Sequence, residues 1–511
     1  MSRPIVTRRQ MLQALAMGGA SSLLGGSLGG CSRPGAQSQS EPISEKAERL
    51  ADDRRFLIVI GGIGGASIID SFMAVRQSET TAAGGTPAIL NVFPDAQVAS
   101  VSGTPFRAVN LTGSGLSLPI TPINTNQVPF VTAHKNDLMV STVETTSVNH
   151  TIAQKRSITG NNAWKGRTLQ EAVAYQYGEG LPLPNANMAA FGFLEQGTDE
   201  SLPNWCFSQP IANPLFFSLG LDGQRGIKGA PSKDVMALAR KMRDEKLDPQ
   251  SVFYQTYRQS KRIQLWMQQR GAAQKQIETL DLVTKLCLLP NTPGTIPLTE
   301  FGLQTTPDGQ TLMNAFPKLL SDPLSAQAAL AFLLIKYGVS VSVSLSPTFN
   351  VVPDPAGGLL TPPLAFDFSH NQHRAAQAHM WDRTLTIIDK LVTLLKGTEY
   401  RAGESFWSRS LVYVATDFGR SKDRVANEVN FGSGHDLNNG VVIVSPKANG
   451  NKVLGGVDAK TCLTYGFDPA TGAPDPGRRT TEAEVYAGVL GALKVDTTGS
   501  GLPAVPALYK A

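Results

Sequence analysis

The chain holds six histidines, and four of them, His370, His373, His379 and His435, fall in its last third. The first three lie within ten residues of one another, beside a carboxylate in the run Phe366-Asp367-Phe368-Ser369-His370-Asn371-Gln372-His373. Asp367 with His370, or with His373, supplies a carboxylate and an imidazole from one loop. Asp417 and His435 supply another of each from the stretch LVYVATDFGRSKDRVANEVNFGSGH, residues 411–435. Mixed imidazole and carboxylate ligation suits a divalent metal, zinc or manganese before calcium or magnesium, and incomplete protein ligation leaves a position for water or substrate. A histidine cluster at a helix start is also ordinary surface decoration. The pairing of two such clusters on successive strand ends is what points to a metal.

Two further groups could serve such a site. Thr145-Thr146-Ser147-Val148-Asn149-His150-Thr151 precedes a predicted helix that runs to Thr159-Gly160. Hydroxyls, an amide and an imidazole at a helix N-terminus suit an anion, because free backbone N–H groups and the helix dipole favour negative charge. The same residues also serve as ordinary caps. The second group follows the short strand Arg55–Ile60, which runs into a glycine-rich turn over Gly61–Asp70. Its glycines do not fit GxGxxG and no acidic partner ends a second strand, so no nucleotide cofactor is expected. Ser67 and Asp70 are the polar residues this strand end offers.

The elements that must position these groups alternate. Buried-strand patterns at Arg55–Ile60, Asp137–Val143, Val339–Leu345, Leu411–Ala415 and Val441–Ser445 are interleaved with helical patterns at Ala326–Tyr337, from the histidine loop to about Lys396, and at Thr480–Val495. This predicts an α/β fold with a largely parallel, doubly wound sheet. A carboxylate just past a buried strand, as Asp417 is, stands where such folds put chemistry. Between about residues 180 and 290 the character changes. Ser232–Leu288 is helical and heavily charged, which predicts an insertion packing its apolar stripe on the core.

With 511 residues, 41% hydrophobic and 17% charged, the chain can bury a large core under a comparatively uncharged surface. Its formal charge of +5 shrinks when Arg3, Arg8 and Arg9 are set aside with a cleaved segment, leaving 43 basic against 41 acidic residues. Electrostatics therefore give no reason to expect a nucleic-acid partner. Thr7-Arg8-Arg9-Gln10-Met11-Leu12 is a twin-arginine pattern, and Leu28-Gly29-Gly30-Cys31 resembles a bacterial lipobox. The expectation is a signal peptide over residues 1–30, lipidation at Cys31, a tether over 31–54, a domain over 55–496 with the insertion at about 180–290, and a tail over 497–511. The protein would leave by the twin-arginine route and reside in the periplasm or cell envelope as a membrane-anchored lipoprotein, cleavage without lipidation being the rival. Cys206, Cys287 and Cys462 show no CxxC spacing and allow at most one bridge.

Thr416-Asp417-Phe418-Gly419-Arg420 followed by Gly434-His435-Asp436 resembles the Glu/Asp-Phe-Gly-Arg and Asp-His signatures of the bacterial family labelled domain of unknown function 1501. That family is twin-arginine-exported and related to the alkaline phosphatase and sulfatase superfamily. Phe366 to Asn371 resembles its Trp-Asp-Thr-His-Ser motif with one extra residue before the histidine, Asn149-His150 and Thr159-Gly160 its Ser-His and Thr-Gly, and Gly64-Gly65-Ala66-Ser67 its Gly-Gly-Ala-Asp. The resemblance covers the chain from about Phe56 to Val495 in order, through short motifs. It implies an alkaline-phosphatase-like core and hydrolysis of phosphate or sulfate esters, with metals stabilising charge on the attacking and leaving oxygens. Carried over by position, Asp367, His370 and His435 would hold one metal and Asp417 would hold or bridge to a second, with His373 as an alternative ligand. The family's first-strand aspartate aligns with Ser67, leaving Asp70 as its substitute. Its serine aligns with Asn149, a poor nucleophile, so Thr151 or Ser147 would have to serve beside His150. The alternative is a degenerate envelope lipoprotein of the same fold that binds an anionic glycan or a protein partner.

Overall fold

In the computed structural model, which describes residues 53–118, 121–221, 231–294, 298, 301–347, 352–353, 359–361 and 365–510, the apolar run Phe56–Gly62 forms the central strand β1. The expected signal peptide, Cys31 and the expected tether up to residue 52 lie outside the described residues. The other strands of the main sheet, in chain order, are β2 (Leu138–Glu144), β3 (Asn185–Asn187), β4 (Gln209–Pro210), β5 (Ser342–Leu345), β6 (Ser410–Thr416), β7 (Asn438–Val444) and β8 (Lys452–Leu454). They lie in the order β8-β2-β7-β6-β1-β5-β3-β4. All pairings are parallel except those of β7, which runs antiparallel to both β6 and β2. The sheet is therefore mixed and mostly parallel. β1, β6 and β7 are buried along their whole length, as continuous Val/Ile/Leu runs are when both faces of a sheet are covered. Each such side chain contributes about 1.5–3 kcal/mol by leaving water.

The main helices are α1 (His150–Thr159), α2 (Leu169–Tyr177), α3 (Lys233–Met242), α4 (Lys261–Thr279), α5 (Pro323–Lys336), α6 (Ser369–Lys396) and α7 (Glu482–Ala492). Their starts follow local chemistry. Thr168 and Thr481 open α2 and α7 with capping boxes to Glu171 and Glu484, and Asp322 caps α5 through its side chain. Gly160, at φ +60°, closes α1 in the left-handed conformation.

Two expectations change in part. The insertion packs on the core only through its C-terminal part, where Ile277 and Leu280 lie against the core that includes Leu282, Leu286 and Leu288, whereas Val235, Leu238 and Met242 of α3 are 55%, 61% and 48% exposed. The last residues fold back on the domain, with Val505 and Leu508 buried and Leu508 packed on Gly488 of α7. Cys206, Cys287 and Cys462 are all free and buried.

The register decides which loops meet. Gly62 at the end of β1 lies beside Thr416 at the end of β6, and Glu144 at the end of β2 lies opposite Asn438, where antiparallel β7 begins. The turn leaving β1, Asp417 past β6, the segment from β2 into α1, and the segment entering β7 therefore share one edge. The first turns of α6 dock there too: Gln377 donates to the Gly65 carbonyl and accepts from Ser67 N–H, and Trp381 Nε1 donates to the Ser67 carbonyl.

Candidate metal centre

Four side chains close on one point at that edge: one ligand atom each of His150, Asp367, His370 and His435, all within 4.8 Å of one another. His150 Nε2 is 3.3 Å and His370 Nε2 3.5 Å from Asp367 Oδ1, and the Nε2 atoms of His370 and His435 are 2.9 Å apart. Four ligands at about 2.0–2.1 Å from a tetrahedral ion stand roughly 3.3–3.4 Å from each other. The three separations of 2.9, 3.3 and 3.5 Å bracket that value. His150, Asp367 and His435 are half-buried and His370 is exposed, so the point is open to solvent.

Hydrogen-bond bookkeeping fixes where the ring protons sit. His150 Nδ1 is 2.8 Å from Asp417 Oδ2, and His435 Nδ1 is 3.0 Å from the Val148 carbonyl; neither oxygen can donate, so both Nδ1 atoms carry hydrogen. Their Nε2 lone pairs face the cluster. Arg420 Nη1, which can only donate, lies 3.1 Å from His370 Nε2, so that nitrogen also presents a lone pair. Burial, reinforced by Arg420, pushes the pKa of both His370 and His435 below the ordinary histidine value, so neutral rings are favoured. Three lone pairs and a carboxylate oxygen thus converge, an arrangement a cation stabilises. An imidazole whose other nitrogen is held by a carboxylate or carbonyl is the usual form of a metal-binding histidine.

The surroundings explain why the donors meet. Asp417 is fully buried, and its oxygens accept the N–H groups of Gly64 and Gly65 at 3.0 and 2.5 Å as well as Gln154 Nε2 at 3.3 Å. Gly64 has φ +93°, and a Cβ there would lie 2.1 Å from the Asp367 backbone nitrogen. Only glycine lets the β1 turn approach Asp367 so closely. Phe418, fully buried, lies 4.6 Å from the His150 ring and 4.1 Å from the His435 ring, centroid to centroid, and so wedges both imidazoles. The loop carrying His435 is stitched to the start of α6 by His373 N–H to Phe431 O at 2.6 Å and Ser433 N–H to Ser369 O at 2.9 Å.

Several sequence expectations are redistributed. Asp417 is not one of the four converging donors, since the β1 turn and His150 occupy its oxygens; it stands behind His150. Asp70 and His373 do not reach the cluster either. They form a separate buried network in which His373 Nε2 meets Asp70 Oδ2 at 2.9 Å, Asn91 donates to Asp70 at 2.9 Å, and His373 Nδ1 meets Ser433 Oγ at 2.7 Å. Burial alone would raise the Asp70 carboxyl, but His373, Arg374 and Ser67 more than offset it and hold it at about 2. Ser67 is buried, its backbone bonded to Gln377 and Trp381 and its side chain to Asp70. Asn149 caps α1, its Oδ1 accepting from Ile152 N–H at 3.2 Å, while Ser147 Oγ accepts from Asn149 N–H at 3.1 Å. Thr151 is exposed in the first turn of α1.

His150, read above as a catalytic residue, joins the metal donors. Arg420 carries no role in the sequence reading. It donates to the Gly64 carbonyl through Nε at 2.9 Å and to Asp367 Oδ1 through Nη2 at 3.1 Å, and its side chain is fully buried. The signal was present in Asp417-Phe418-Gly419-Arg420, whose Gly419–Arg420 pair forms a two-residue antiparallel ribbon with His435–Asp436.

No family model, no curated protein and no solved structure matches this chain.

Proposed function

We propose that the protein is an exported, metal-dependent hydrolase of phosphate or sulfate esters on an alkaline-phosphatase-like core, with His150, Asp367, His370 and His435 holding one divalent cation. The observation that carries this reading is the convergence of three imidazole nitrogens and a carboxylate oxygen, all within 4.8 Å of one another, on an open sheet edge. The short motifs quoted above give the substrate class. A divalent cation there would polarise the ester and lower the pKa of water. Asp417 holds the His150 ring in the ligating tautomer, and Arg420 adds a fixed positive charge for an anionic group. Hydrolysis adds water across the ester bond and releases an alcohol and the inorganic anion. Thr151 and Ser147 flank His150 and are the hydroxyls to test for covalent attack.

One observation favours the second reading, an envelope protein that binds an anionic glycan or a protein partner without turnover. Arg420 donates to Asp367 and to His370 Nε2, so it shares two atoms that a cation would use. Elemental analysis of the protein beside His150→Ala and His435→Ala, with aryl phosphate and aryl sulfate turnover, separates the two. Stoichiometric metal and turnover lost together in both variants support the hydrolase. Metal without turnover supports the binding protein, and no metal after incubation with zinc, manganese, calcium or magnesium overturns the metal centre.

A further inference from the structure

The helical insertion carries an apolar surface that faces away from the core. Of the twenty large apolar side chains that are exposed among the described residues, eight fall between residues 235 and 266, including Val235, Leu238, Met242, Leu247, Phe253 and Trp266. That concentration is unlike scattered surface leucines, which need no explanation. On α3 the spacing is helical: Val235, Leu238 and Met242 make one stripe. Phe253 and Tyr257, one turn apart on the short helix Val252–Tyr257, touch with ring centroids 5.1 Å apart.

The polar groups are arranged the opposite way. Arg240 Nη2 reaches Glu278 Oε1 at 2.6 Å, joining α3 to α4. Arg270 of α4 pairs with Asp244 and Asp248 and has a side chain only 8% exposed, with its guanidinium 4.8 Å from the Trp266 ring centroid. Ion pairs thus hold α3 and α4 together while the apolar side chains of α3 and of the segment after it point outward, and α4 meets the core at Ile277. Residues 233–279 carry ten Lys and Arg against five Asp and Glu. Lys241, Lys246 and Arg258 are exposed among the apolar groups.

Exposed apolar side chains interspersed with excess positive charge fit the interface of a bilayer bearing anionic headgroups. Two copies of this surface would oppose like charges, which disfavours self-association. No helix among the described residues is long and apolar enough to cross a membrane. We propose that α3, the segment 243–257 and the exposed part of α4 form a docking surface for an anionic lipid bilayer, lying on it rather than spanning it, and independent of any lipid at Cys31.

The test uses the full chain with Cys31→Ser, co-sedimented with vesicles of phosphatidylcholine alone or with about a quarter phosphatidylglycerol. Binding to the anionic vesicles only, weakened by salt, is expected. It falls at least about tenfold in Leu238→Glu/Phe253→Glu and in Lys241→Glu/Lys246→Glu, because each pair removes one component of the attraction. As a readout that needs no destabilising change, Trp266 emission should shift to the blue on the anionic vesicles, and Trp266→Phe should remove that shift. Binding by both double variants equal to that of the parent protein, no binding to anionic vesicles, or self-association abolished by Leu238→Glu without vesicle binding would each overturn the proposal.

Discussion

His150 Nδ1 donates to Asp417 Oδ2 across 2.8 Å, tying a partly exposed ring to a carboxylate with no exposed surface. The bond turns His150 Nε2 toward Asp367, Gly64 and Gly65 hold Asp417 from the other side, and the whole depends on β1 and β6 ending in register. Asp417→Asn keeps the shape but can offer the ring an amide N–H in place of an acceptor. Metal affinity should fall about 10–100-fold, with little change in secondary structure. An isotherm for zinc or manganese identical to that of the parent protein would falsify this role for Asp417.

The sequence carried much of this arrangement. Strand and helix positions near the site were readable because Phe56–Ile60, Leu411–Ala415 and the helix ending at Lys396 follow strong apolar patterns, and the observed elements Phe56–Gly62, Ser410–Thr416 and Ser369–Lys396 contain them. The antiparallel course of β7 left no mark, since a fully buried strand shows the same apolar run in either direction. Asp367, His370 and His435 were legible as donors by residue type. The resemblance of Asn149-His150 to a Ser-His pair points His150 to catalysis, while its place among the donors depends on β2 pairing with β7. His373 resembled His370 in every local respect. Only the start of α6, with Gln372 at φ −140° and ψ 74°, turns one ring to the edge and the other into the interior.

Gly64 and Gly84 form a controlled pair. Both have positive φ, +93° and +76°, but a Cβ at Gly64 would lie 2.1 Å from the Asp367 nitrogen, whereas one at Gly84 meets nothing within 4 Å. Gly84→Ala should cost about 1–2 kcal/mol from backbone conformation alone. Gly64→Ala should cost at least about 3 kcal/mol and displace Asp367. Urea midpoints of the two variants check this, and equal destabilisation would show that the close approach of the β1 turn to Asp367 does not matter.

The buried pair of Asp70 and His373 fastens the loop that carries His435, through Ser433. Asp70→Asn removes the negative charge that balances His373 and Arg374, and should destabilise by about 3 kcal/mol. Because the folded Asp70 carboxyl is held at about 2, below its unfolded value, its contribution is fully present above about pH 4 and disappears as pH falls through 2. The parent protein should therefore lose stability across that acid window more steeply than the asparagine variant. Parallel stability curves would remove Asp70 as the source.

His379 sets a second, milder window. Its Nε2 is buried without a hydrogen-bond partner, and burial, aided by Arg383 and Lys318 against the opposing Asp322, pushes its pKa down to about 4. Arg383 is itself paired with Asp322 at 2.7 Å, which leaves little negative charge to favour an imidazolium. Between about pH 6.5 and 4 the unfolded chain binds a proton that the folded chain does not, so stability rises with pH there. Acidification from pH 7 should cost up to about 3 kcal/mol, levelling off below pH 4 as far as this residue is concerned. His379→Gln, which cannot titrate, should flatten that slope in denaturant titrations at pH 7, 5.5 and 4.5. A slope as steep in the variant as in the parent would assign the acid sensitivity to other groups.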